Sequence, residues 1–306
     1  MFEIVFLGTS ASAPSVRRGL SAQLIKHDEY RFLIDCGEGT QRQILQAGVG
    51  FKHINQILIT HGHLDHILGL AGLLSTFMRW ETIDSLEIFG PRLALERIDD
   101  LLTRVVLRGA QPPMPLNLVP VTPGVFLELE DFTVSAFPVR HRASESLGYL
   151  FEEKSRRPFL PEKADALGVP VGPVRRDLVE GKPIRLADGR VIEPEDVLGE
   201  SRPGTKFMHV GDTGETDSLV PYAQGADGLV IEATYLEEER DMARQYGHLT
   251  AKMAGELARK AEVKKLILTH LSRRYREKEV QTEAQTVFPE VVVARDFDSF
   301  SIKKSE

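Results

Sequence analysis

The stretch INQILITHGHLDH (residues 54–66) joins an apolar run to three histidines and an aspartate. The run INQILIT predicts a buried strand, and His61, His63, Asp65 and His66 follow at its carboxyl end. Core packing does not call for so many polar groups in six residues, whereas imidazole and carboxylate are ligands that zinc and manganese favour. We therefore predict a metal site at this end of the strand.

Three later segments share the feature that an apolar strand ends in histidine or aspartate. FPVRH ends at His141, FMHVGD at Asp212 and LILTH at His270. A rigid sheet holds polar side chains in fixed positions at such strand ends. The seven candidate ligands, five histidines and two aspartates, exceed what one tetrahedral ion takes. They suit two ions a few ångströms apart, with one carboxylate bridging them.

A structural zinc site is the alternative metal interpretation, and pairs of cysteines usually close such sites. The chain has one cysteine, Cys36, so an intrachain disulfide is also excluded. We expect Cys36 to be a small buried residue. For the isolated histidines His27, His53 and His209 we expect ordinary surface or core positions.

The composition is that of a globular protein, since 42% of the 306 residues are hydrophobic and 27% are charged. The N-terminal MFEIVFLGTS predicts a first strand, not a signal peptide, and the apolar runs are too short to span a membrane. We therefore expect a cytoplasmic protein without a membrane partner. Nucleic-acid-binding proteins usually carry net positive charge, so the net charge of −7 argues against nucleic-acid binding. A local basic patch would overturn that argument.

Short strand-like runs recur along the chain with helical patterns between them, as at residues 67–80 and 250–262. This mixture predicts a layered α/β fold, and we expect residues 1–306 to form a single domain. Residues 154–206 differ, because they hold seven of the seventeen prolines and show no sustained period. We predict a long excursion there, not part of the core.

The first part of the same segment carries a net positive charge, although the chain as a whole is acidic. Up to Arg190 it carries nine Lys or Arg against five Asp or Glu. A basic element of this kind fits the backbone of a folded RNA, which proteins read by shape and charge. The alternative is a solvated insertion that has no partner.

At residues 61–66 the pattern H-x-H-x-D-H resembles the signature of the metallo-β-lactamase superfamily. Along the whole chain, GTSASAPSVRRG, HGHLDH, VGDTGET, EATY, GHLTA and THLSRRY follow one another in the order of the ribonuclease Z family, the tRNA 3′-processing endonucleases. The resemblance covers almost the whole chain. It implies an α/β fold of the metallo-β-lactamase type, an αβ/βα sandwich, with residues 154–206 as a protruding flexible arm that forms a tRNA-binding exosite.

The resemblance also implies which ligands bind which ion. One ion would be bound by His61, His63 and His141, the other by Asp65, His66 and His270, and Asp212 would bridge both. The implied cofactors are two zinc ions per subunit, with manganese as the alternative.

The implied activity is that of a phosphodiester hydrolase, a metal-dependent endoribonuclease. It would remove the 3′ trailer from precursor tRNA and leave a 3′-hydroxyl on the tRNA. Asp65 is the candidate acceptor for the proton of the attacking water. His248 in GHLTA is the candidate general acid, because histidine titrates near neutrality, and Glu232 is a candidate for orienting it. The implied assembly is a homodimer in which each arm helps to hold the precursor tRNA bound at the partner's active site.

Candidate substrate-binding residues lie in three places. Arg274 and Tyr275 follow His270, Arg18 lies in PSVRRG, and Arg175 and Arg176 lie in the arm. Guanidinium groups suit phosphate oxygens, and a tyrosine ring supports a base. Many relatives have P-x-K-x-R-N where this chain has PSVRRG, in a loop associated with sensing the tRNA 3′ end.

Two other functions fit parts of the sequence. A small-molecule hydrolase of the same superfamily, acting on a thioester, cyclic nucleotide or arylsulfate, would use the same metals but would have no evident use for the arm. A tRNA-binding or scaffold protein with a degenerate site would not need the ligands, and all seven candidates are present.

Overall fold

The computed structural model describes residues 1–80, 83–142 and 144–304. By its contacts the chain divides into two compact units. The main unit comprises Met1–Glu152 and Thr205–Glu306, and the inserted unit comprises Glu153–Gly204. Over the described ranges, none of the helices combines the length and the apolar character that crossing a membrane requires.

Strands and helices both occur along the whole length of the chain. The strands are β1 (Phe2–Gly8), β2 (Ala22–His27), β3 (Tyr30–Ile34), β4 (Gln56–Leu58), β5 (Leu86–Gly90), β6 (Leu116–Pro120), β7 (Gly124–Glu128), β8 (Phe132–His141), β9 (Ser144–Glu153), β10 (Ile184–Arg185), β11 (Val191–Ile192), β12 (Lys206–His209), β13 (Gly228–Glu232), β14 (Leu266–Thr269), β15 (Val291–Val293) and β16 (Ser299–Ile302). The α-helices are α1 (Thr40–Gln46), α2 (Leu64–Ile67), α3 (Gly69–Trp80), α4 (Arg92–Asp99), α5 (Pro161–Ala166), α6 (Pro173–Val179), α7 (Pro194–Val197), α8 (Val220–Ala223), α9 (Arg240–Tyr246), α10 (Ala251–Lys260) and α11 (Glu277–Gln285), and a π-helical stretch, Asp100–Leu107, continues α4.

Two β-sheets organise the main unit, and the described residues place seven strands in each. The first sheet has the order β16-β1-β2-β3-β4-β5-β6, and the second has the order β15-β14-β13-β12-β9-β8-β7. Strands β3 to β6 run parallel, and so do β12 to β15. Ligand sites form outside the carboxyl ends of parallel strands, so each sheet offers one edge for a site.

Alternate side chains of β1 belong to two different apolar clusters. Ile4 and Phe6 share a cluster with residues of the second sheet such as Phe207, whereas Val5 and Leu7 share one with residues of α1, α3 and α4. The outer face of the second sheet is covered in the same way by α8, α10 and α11. A strand that is buried on both faces is apolar along most of its length. This explains why FEIVFLG, the sequence of β1, does not alternate between apolar and polar residues. The predicted αβ/βα sandwich is confirmed.

The helix predicted over 67–80 begins earlier and is interrupted. Asp65 and His66 lie within α2, not before the helix, and α3 starts at Gly69. The interruption follows from a contact between the helix and the loop after β3. The Gly69 N–H donates to the Cys36 carbonyl at 2.9 Å, and a Cβ on Gly69 would meet the Gly37 carbonyl oxygen at 2.0 Å.

Residues Glu153–Gly204, where the sequence predicts a long excursion outside the core, form a compact unit with regular structure of its own. It contains α5, α6, α7 and the β10–β11 hairpin around an apolar core formed by Ala164, Val169, Leu178, Ile192, Val197 and Leu198. A proline begins each of its helices, at Pro161, Pro173 and Pro194, where the missing N–H costs nothing. Helices of four to seven residues are too short to give a recognisable period. In the main unit, Glu152 on β9 pairs with Lys206 on β12, so the insertion joins two adjacent strands.

Candidate metal centre

Three histidines and an aspartate bring their ligating atoms together at the carboxyl ends of the parallel strands. The ligating atoms of His61, His63, His141 and Asp212 all lie within 4.8 Å of one another. His141 Nε2 is 3.3 Å from His63 Nδ1, and His61 Nε2 is 3.7 Å from Asp212 Oδ2. Tetrahedral ligands about 2.1 Å from zinc are roughly 3.4 Å apart, so this spacing suits one divalent ion.

A second group lies on the other side of Asp212. The ligating atoms of Asp65, His66 and His270 also lie within 4.8 Å of one another. Asp212 Oδ1 is 3.4 Å from His66 Nε2 and 3.3 Å from His270 Nε2. Because Oδ2 of the same carboxylate faces His61, Asp212 presents one oxygen to each group. The structure thus brings together all seven residues that the strand-end pattern singles out.

Four buried atoms at this centre have no hydrogen-bond partner among the residues that the structure describes. They are His61 Nε2, His66 Nε2, His270 Nε2 and Asp212 Oδ1. Buried polar atoms are almost always satisfied, so four such atoms converging on one point require an explanation. Divalent cations held by the two groups would satisfy all four, and the donor set fits such ions.

Four of the candidate ligand histidines have their Nδ1 atom, the ring nitrogen that faces away from the centre, next to a hydrogen-bonding group. His66 Nδ1 lies 2.7 Å from Asp35 Oδ2, and His141 Nδ1 lies 2.7 Å from the Gly247 carbonyl oxygen. The corresponding atoms of His61 and His270 lie 3.0 Å from Thr60 Oγ1 and 3.2 Å from Thr234 Oγ1. A hydrogen on Nδ1 leaves the lone pair of Nε2 free for a metal ion and fixes the orientation of the ring.

The electrostatics favour neutral imidazole on one side of the centre. Burial, together with the neighbouring His141, lowers the pKa of His63 to about 4, and burial with His66 places the pKa of His61 well below its ordinary value. Burial alone would also lower the pKa of His66, but the Asp212 and Asp35 carboxylates raise it well above the ordinary value. A metal ion binds the neutral ring, so metal binding opposes this rise in the pKa of His66.

His248 lies beside the centre with its Nδ1 engaged elsewhere. That atom is 2.9 Å from Glu232 Oε1 and 3.9 Å from Asp212 Oδ2. His248, Asp212 and His270 could also hold an ion by proximity, but the shorter contact assigns His248 Nδ1 to Glu232. Burial lowers the pKa of His248, and the charge and hydrogen bond of Glu232 outweigh that effect and raise it to about 9. The ring is therefore a cation at neutral pH, with Nε2 free to donate.

Proteins named ribonuclease Z are similar to this chain over almost their whole length. It is 46% identical to "Ribonuclease Z" from Bradyrhizobium sp. (strain ORS 278) over 302 residues, which is 99% of this chain and 100% of that protein. It is 41% identical to "Ribonuclease Z" from Methanothermobacter thermautotrophicus, over 99% of this chain and 97% of that protein.

The chain belongs to the ribonuclease Z family.

Other comparisons agree with this membership and with the resemblance that the motifs carry. The solved structure of the short form of human tRNase Z, a 27% identical protein, matches with a TM-score of 0.66 over 98% of this chain and 99% of that chain. A family model described as "Beta-lactamase superfamily domain" matches residues 181–271, and one described as "Anti-Pycsar protein Apyc1" matches residues 2–157. The predicted family is therefore confirmed.

This member of the ribonuclease Z family also has a basic groove of about 880 Å³. Ser272, two residues after His270, lines it, and its cationic residues are Arg17, Arg18, Arg273, Arg276, Lys278 and Arg295. Tyr275 also lines the groove. The Tyr275 hydroxyl donates to Glu239, which also accepts from Arg274 Nη1 at 2.7 Å.

The candidate arginines differ in how far their guanidinium groups are already used. Arg18 donates to Thr9 Oγ1 at 2.5 Å, to the Ala294 carbonyl at 2.9 Å and to Glu277 at 2.7 Å, and only 14% of its side chain is exposed. In the inserted unit, Arg175 binds Asp165 and the Val169 carbonyl. Arg274 and Arg176 are more open: their side chains are 52% and 80% exposed.

Sequence reasoning missed three polar residues that contact the candidate ligands: Asp35, Thr60 and Thr234. The signal for Asp35 was present, because FLID is also an apolar strand that ends in aspartate. Thr60 immediately precedes His61, but a threonine there has many structural uses. Thr234 lies in the motif EATY, but the motif alone does not show that its hydroxyl contacts His270.

Proposed function

We propose that this protein is a metal-dependent endoribonuclease, a phosphodiester hydrolase that removes the 3′ trailer from precursor tRNA and leaves a 3′-hydroxyl on the tRNA. One observation carries the proposal. A chain that aligns over 99% of its length with a protein named ribonuclease Z has four unsatisfied buried ligand atoms converging in one centre. The same proposal places the enzyme in the cytoplasm, where precursor tRNA would be its partner.

We propose two zinc ions per subunit as the cofactors, with manganese as the alternative. The residues that would hold one ion are His61, His63 and His141. Those that would hold the other are Asp65, His66 and His270, and Asp212 would contribute to both. The support is the donor set, because imidazole and carboxylate without thiolate suit a catalytic site better than a structural one. When bound, such ions neutralise charge on phosphoryl oxygens and lower the pKa of water.

Asp65 acts as the proton acceptor for the attacking water in this proposal. Burial raises its pKa, but the hydrogen bond and charge of His270 and the charge of His66 outweigh burial and hold the pKa well below the ordinary range. The carboxylate is therefore ionised at neutral pH. The backbone N–H of Ser12 donates to Asp65 Oδ2 at 2.9 Å and fixes the carboxylate in place.

His248 acts as the general acid. The bond between phosphorus and the ribose 3′-oxygen breaks, and His248 Nε2 gives its proton to that oxygen, which becomes the 3′-hydroxyl of the tRNA. The water oxygen remains on the 5′-phosphate of the released trailer. Glu232 orients the ring through Nδ1 and keeps it protonated, which a general acid at neutral pH requires.

The basic groove binds RNA phosphates beside the cut in this proposal. Its six cationic side chains face two acidic ones, Glu277 and Asp296. Arg17 is exposed, and its guanidinium group can bind a phosphate. Arg18 instead holds its own loop in place by donating to the Ala294 carbonyl and to Glu277. Arg274 and Tyr275 are candidate RNA contacts through the open part of the guanidinium group and the ring, respectively.

We propose that the inserted unit binds the body of the tRNA. Its surface ion pairs, such as Arg176 with Glu180 and Arg190 with Asp188, are exposed. Exposed pairs of this kind contribute about 0–1 kcal/mol, so a phosphate can replace the carboxylate at little cost. We also propose that the enzyme is a homodimer in which this unit serves the partner's active site.

The experiment that tests the activity uses full-length, zinc-loaded protein and a 5′-end-labelled precursor tRNA with a 3′ trailer. A matched precursor that carries CCA shows how the tRNA end affects cleavage. We expect one cut at the trailer boundary, a product that a poly(A) polymerase extends from its 3′-hydroxyl, and loss of cutting with a chelator. Intact precursor after incubation with metal-loaded protein would refute the proposed activity. Sizing of the same preparation tests the dimer.

A further inference from the structure

Thr60 connects a buried carboxylate to a candidate metal ligand in the first sheet. Its Oγ1 lies 2.8 Å from Asp35 Oδ2 and 3.0 Å from His61 Nδ1. An ionised carboxylate only accepts hydrogen bonds, so the threonine hydroxyl donates to Asp35 and accepts from the His61 ring. The Thr60 N–H donates to Asp35 Oδ1 at 2.8 Å, which holds the carboxylate and threonine together.

Thr234 makes the same connection in the second sheet. Its Oγ1 lies 2.6 Å from Glu232 Oε2 and 3.2 Å from His270 Nδ1. The hydroxyl therefore donates to Glu232 and accepts from the His270 ring. A chain of carboxylate, threonine and histidine thus lies at the strand ends of each sheet, and each carboxylate also accepts directly from a second histidine, His66 or His248.

We propose that Thr60 and Thr234 are positioning residues that prepare His61 and His270 to bind metal. By accepting the Nδ1 hydrogen, each threonine selects the tautomer whose lone pair is on Nε2 and fixes the ring plane. These two Nε2 atoms are among the buried atoms without partners at the centre. The inference rests on the proposed metal centre and adds two residues to it that bind no metal themselves.

Thr269 provides a contrast within the same molecule. The sequence places it like Thr60, since ILITH ends in Thr60-His61 and LILTH ends in Thr269-His270. Both threonines are buried, with 1% and 4% of their surface exposed. Yet within the described part of the chain, Thr269 Oγ1 has no hydrogen-bond partner. The residue that serves His270 is Thr234, which is also 4% exposed and lies 36 residues before that histidine.

The test compares Thr60→Val, Thr234→Val and the matched control Thr269→Val in full-length, zinc-loaded protein. Valine keeps the shape of threonine and replaces the hydroxyl with a methyl group. Zinc retention is measured by titration with a competing chelator. Loss of an outer partner of a metal-bound histidine typically weakens metal binding about 10–100-fold. We expect that loss for Thr60→Val and Thr234→Val, and zinc retention like that of the wild type for Thr269→Val.

Serine variants separate positioning from packing. Thr60→Ser and Thr234→Ser keep the hydroxyl and should retain zinc better than the valine variants. Alanine variants, which add no methyl group in place of the hydroxyl, repeat the comparison if a valine variant does not fold. Each threonine also donates to a carboxylate that holds a second histidine, Asp35 for His66 and Glu232 for His248, and the serine variants keep that donor.

The possible outcomes separate this inference from the proposed centre. Zinc binding by the wild type with equal retention in all three valine variants overturns the positioning role and leaves the centre intact. Equal loss in all three, including Thr269→Val, also overturns it, because the hydroxyl contacts would then not matter. A wild type that binds no zinc refutes the proposed metal centre itself.

Discussion

His248 Nδ1 lies 2.9 Å from Glu232 Oε1, and the two side chains form a buried pair beside the metal centre. Glu232 also accepts from the N–H groups of Thr213 and Leu249, at 2.8 and 3.2 Å. These contacts prevent the carboxylate from turning away from the imidazole. The pair therefore combines a fixed geometry with a raised pKa of His248, and both properties can be measured.

The pH dependence of cleavage should reflect this pair. The acid form of His248 is complete below its pKa of about 9 and is lost as pH rises through that value, so the rate should fall on the alkaline side. Glu232→Gln removes the charge that raises the pKa, and we expect the alkaline fall to move to lower pH. Single-turnover rates across the pH range would show this, with metal content measured at each pH. An unshifted profile in Glu232→Gln would contradict the role of Glu232.

Replacement of His248 should affect chemistry and not metal binding. Because its Nδ1 is engaged by Glu232, His248→Ala removes no ligand from either group. A general acid contributes about 10²–10⁴-fold, so we expect a loss of that size in the single-turnover rate. Metal analysis of the purified variant is the control. A missing metal ion would mean that His248 is a ligand.

Replacement of Asp65 should abolish cleavage. Asp65 Oδ2 lies 3.5 Å from His270 Nε2 and accepts from Ser12, so Asp65→Ala removes both a ligand and the proposed proton acceptor. Asp241→Ala is a suitable control, because the Asp241 side chain is fully exposed on α9. Turnover of precursor tRNA by Asp65→Ala at the rate of the control would exclude the proposed mechanism.

Removal of the inserted unit should weaken tRNA binding but not hydrolysis. Since Glu152 pairs with Lys206, residues 154–204 can be replaced by an Asn-Gly turn that continues the β9–β12 hairpin. We expect a higher Kd for precursor tRNA and a flatter salt dependence, because fewer counterions are released. Hydrolysis of bis(p-nitrophenyl) phosphate should persist.

Circular dichroism and sizing must first show that the shortened protein is folded and has the same oligomeric state. If it binds and cuts precursor tRNA normally at physiological salt, the inserted unit has no part in binding. If hydrolysis of the small substrate falls in parallel with tRNA cleavage, the unit supports the active site itself.

Arg17 and Arg18 should respond differently to replacement. Arg18→Ala leaves the Ala294 carbonyl and Glu277 Oε1 without their donor, and we expect it to lower the free energy of unfolding by about 1–3 kcal/mol. Arg17 is exposed, so Arg17→Ala should leave stability unchanged and weaken RNA binding. Denaturant titration and tRNA affinity distinguish the two. Equal stability of both variants would contradict the structural role of Arg18.

The candidate ligands could be found from sequence because each follows an apolar strand, and parallel strands end at a common edge. The pattern of ILITH and LILTH is local, so it is visible without the fold. The same pattern is misleading about the threonines, since Thr60 contacts its histidine and Thr269 does not. Which hydroxyl reaches a ring depends on neighbouring strands, and that information is not local.

The helices and the hairpin inside the inserted unit could not be predicted for a different reason. Prolines and glycines normally interrupt periodic patterns, and here Pro161, Pro173 and Pro194 begin helices. Three short helices and a hairpin with strands of two residues bury only a small core. Such elements are too short to show a recognisable period of apolar residues in the sequence.

The pairing of Glu152 with Lys206 makes the inserted unit an exchangeable cassette. The chain leaves the sheet on one strand and returns on its neighbour, so any segment whose ends lie about 5 Å apart can be grafted there with the strand register unchanged. Asp65, His248 and the other residues of the centre lie outside this stretch. Natural selection can therefore change the length, charge and reach of the cassette without altering the residues that perform hydrolysis.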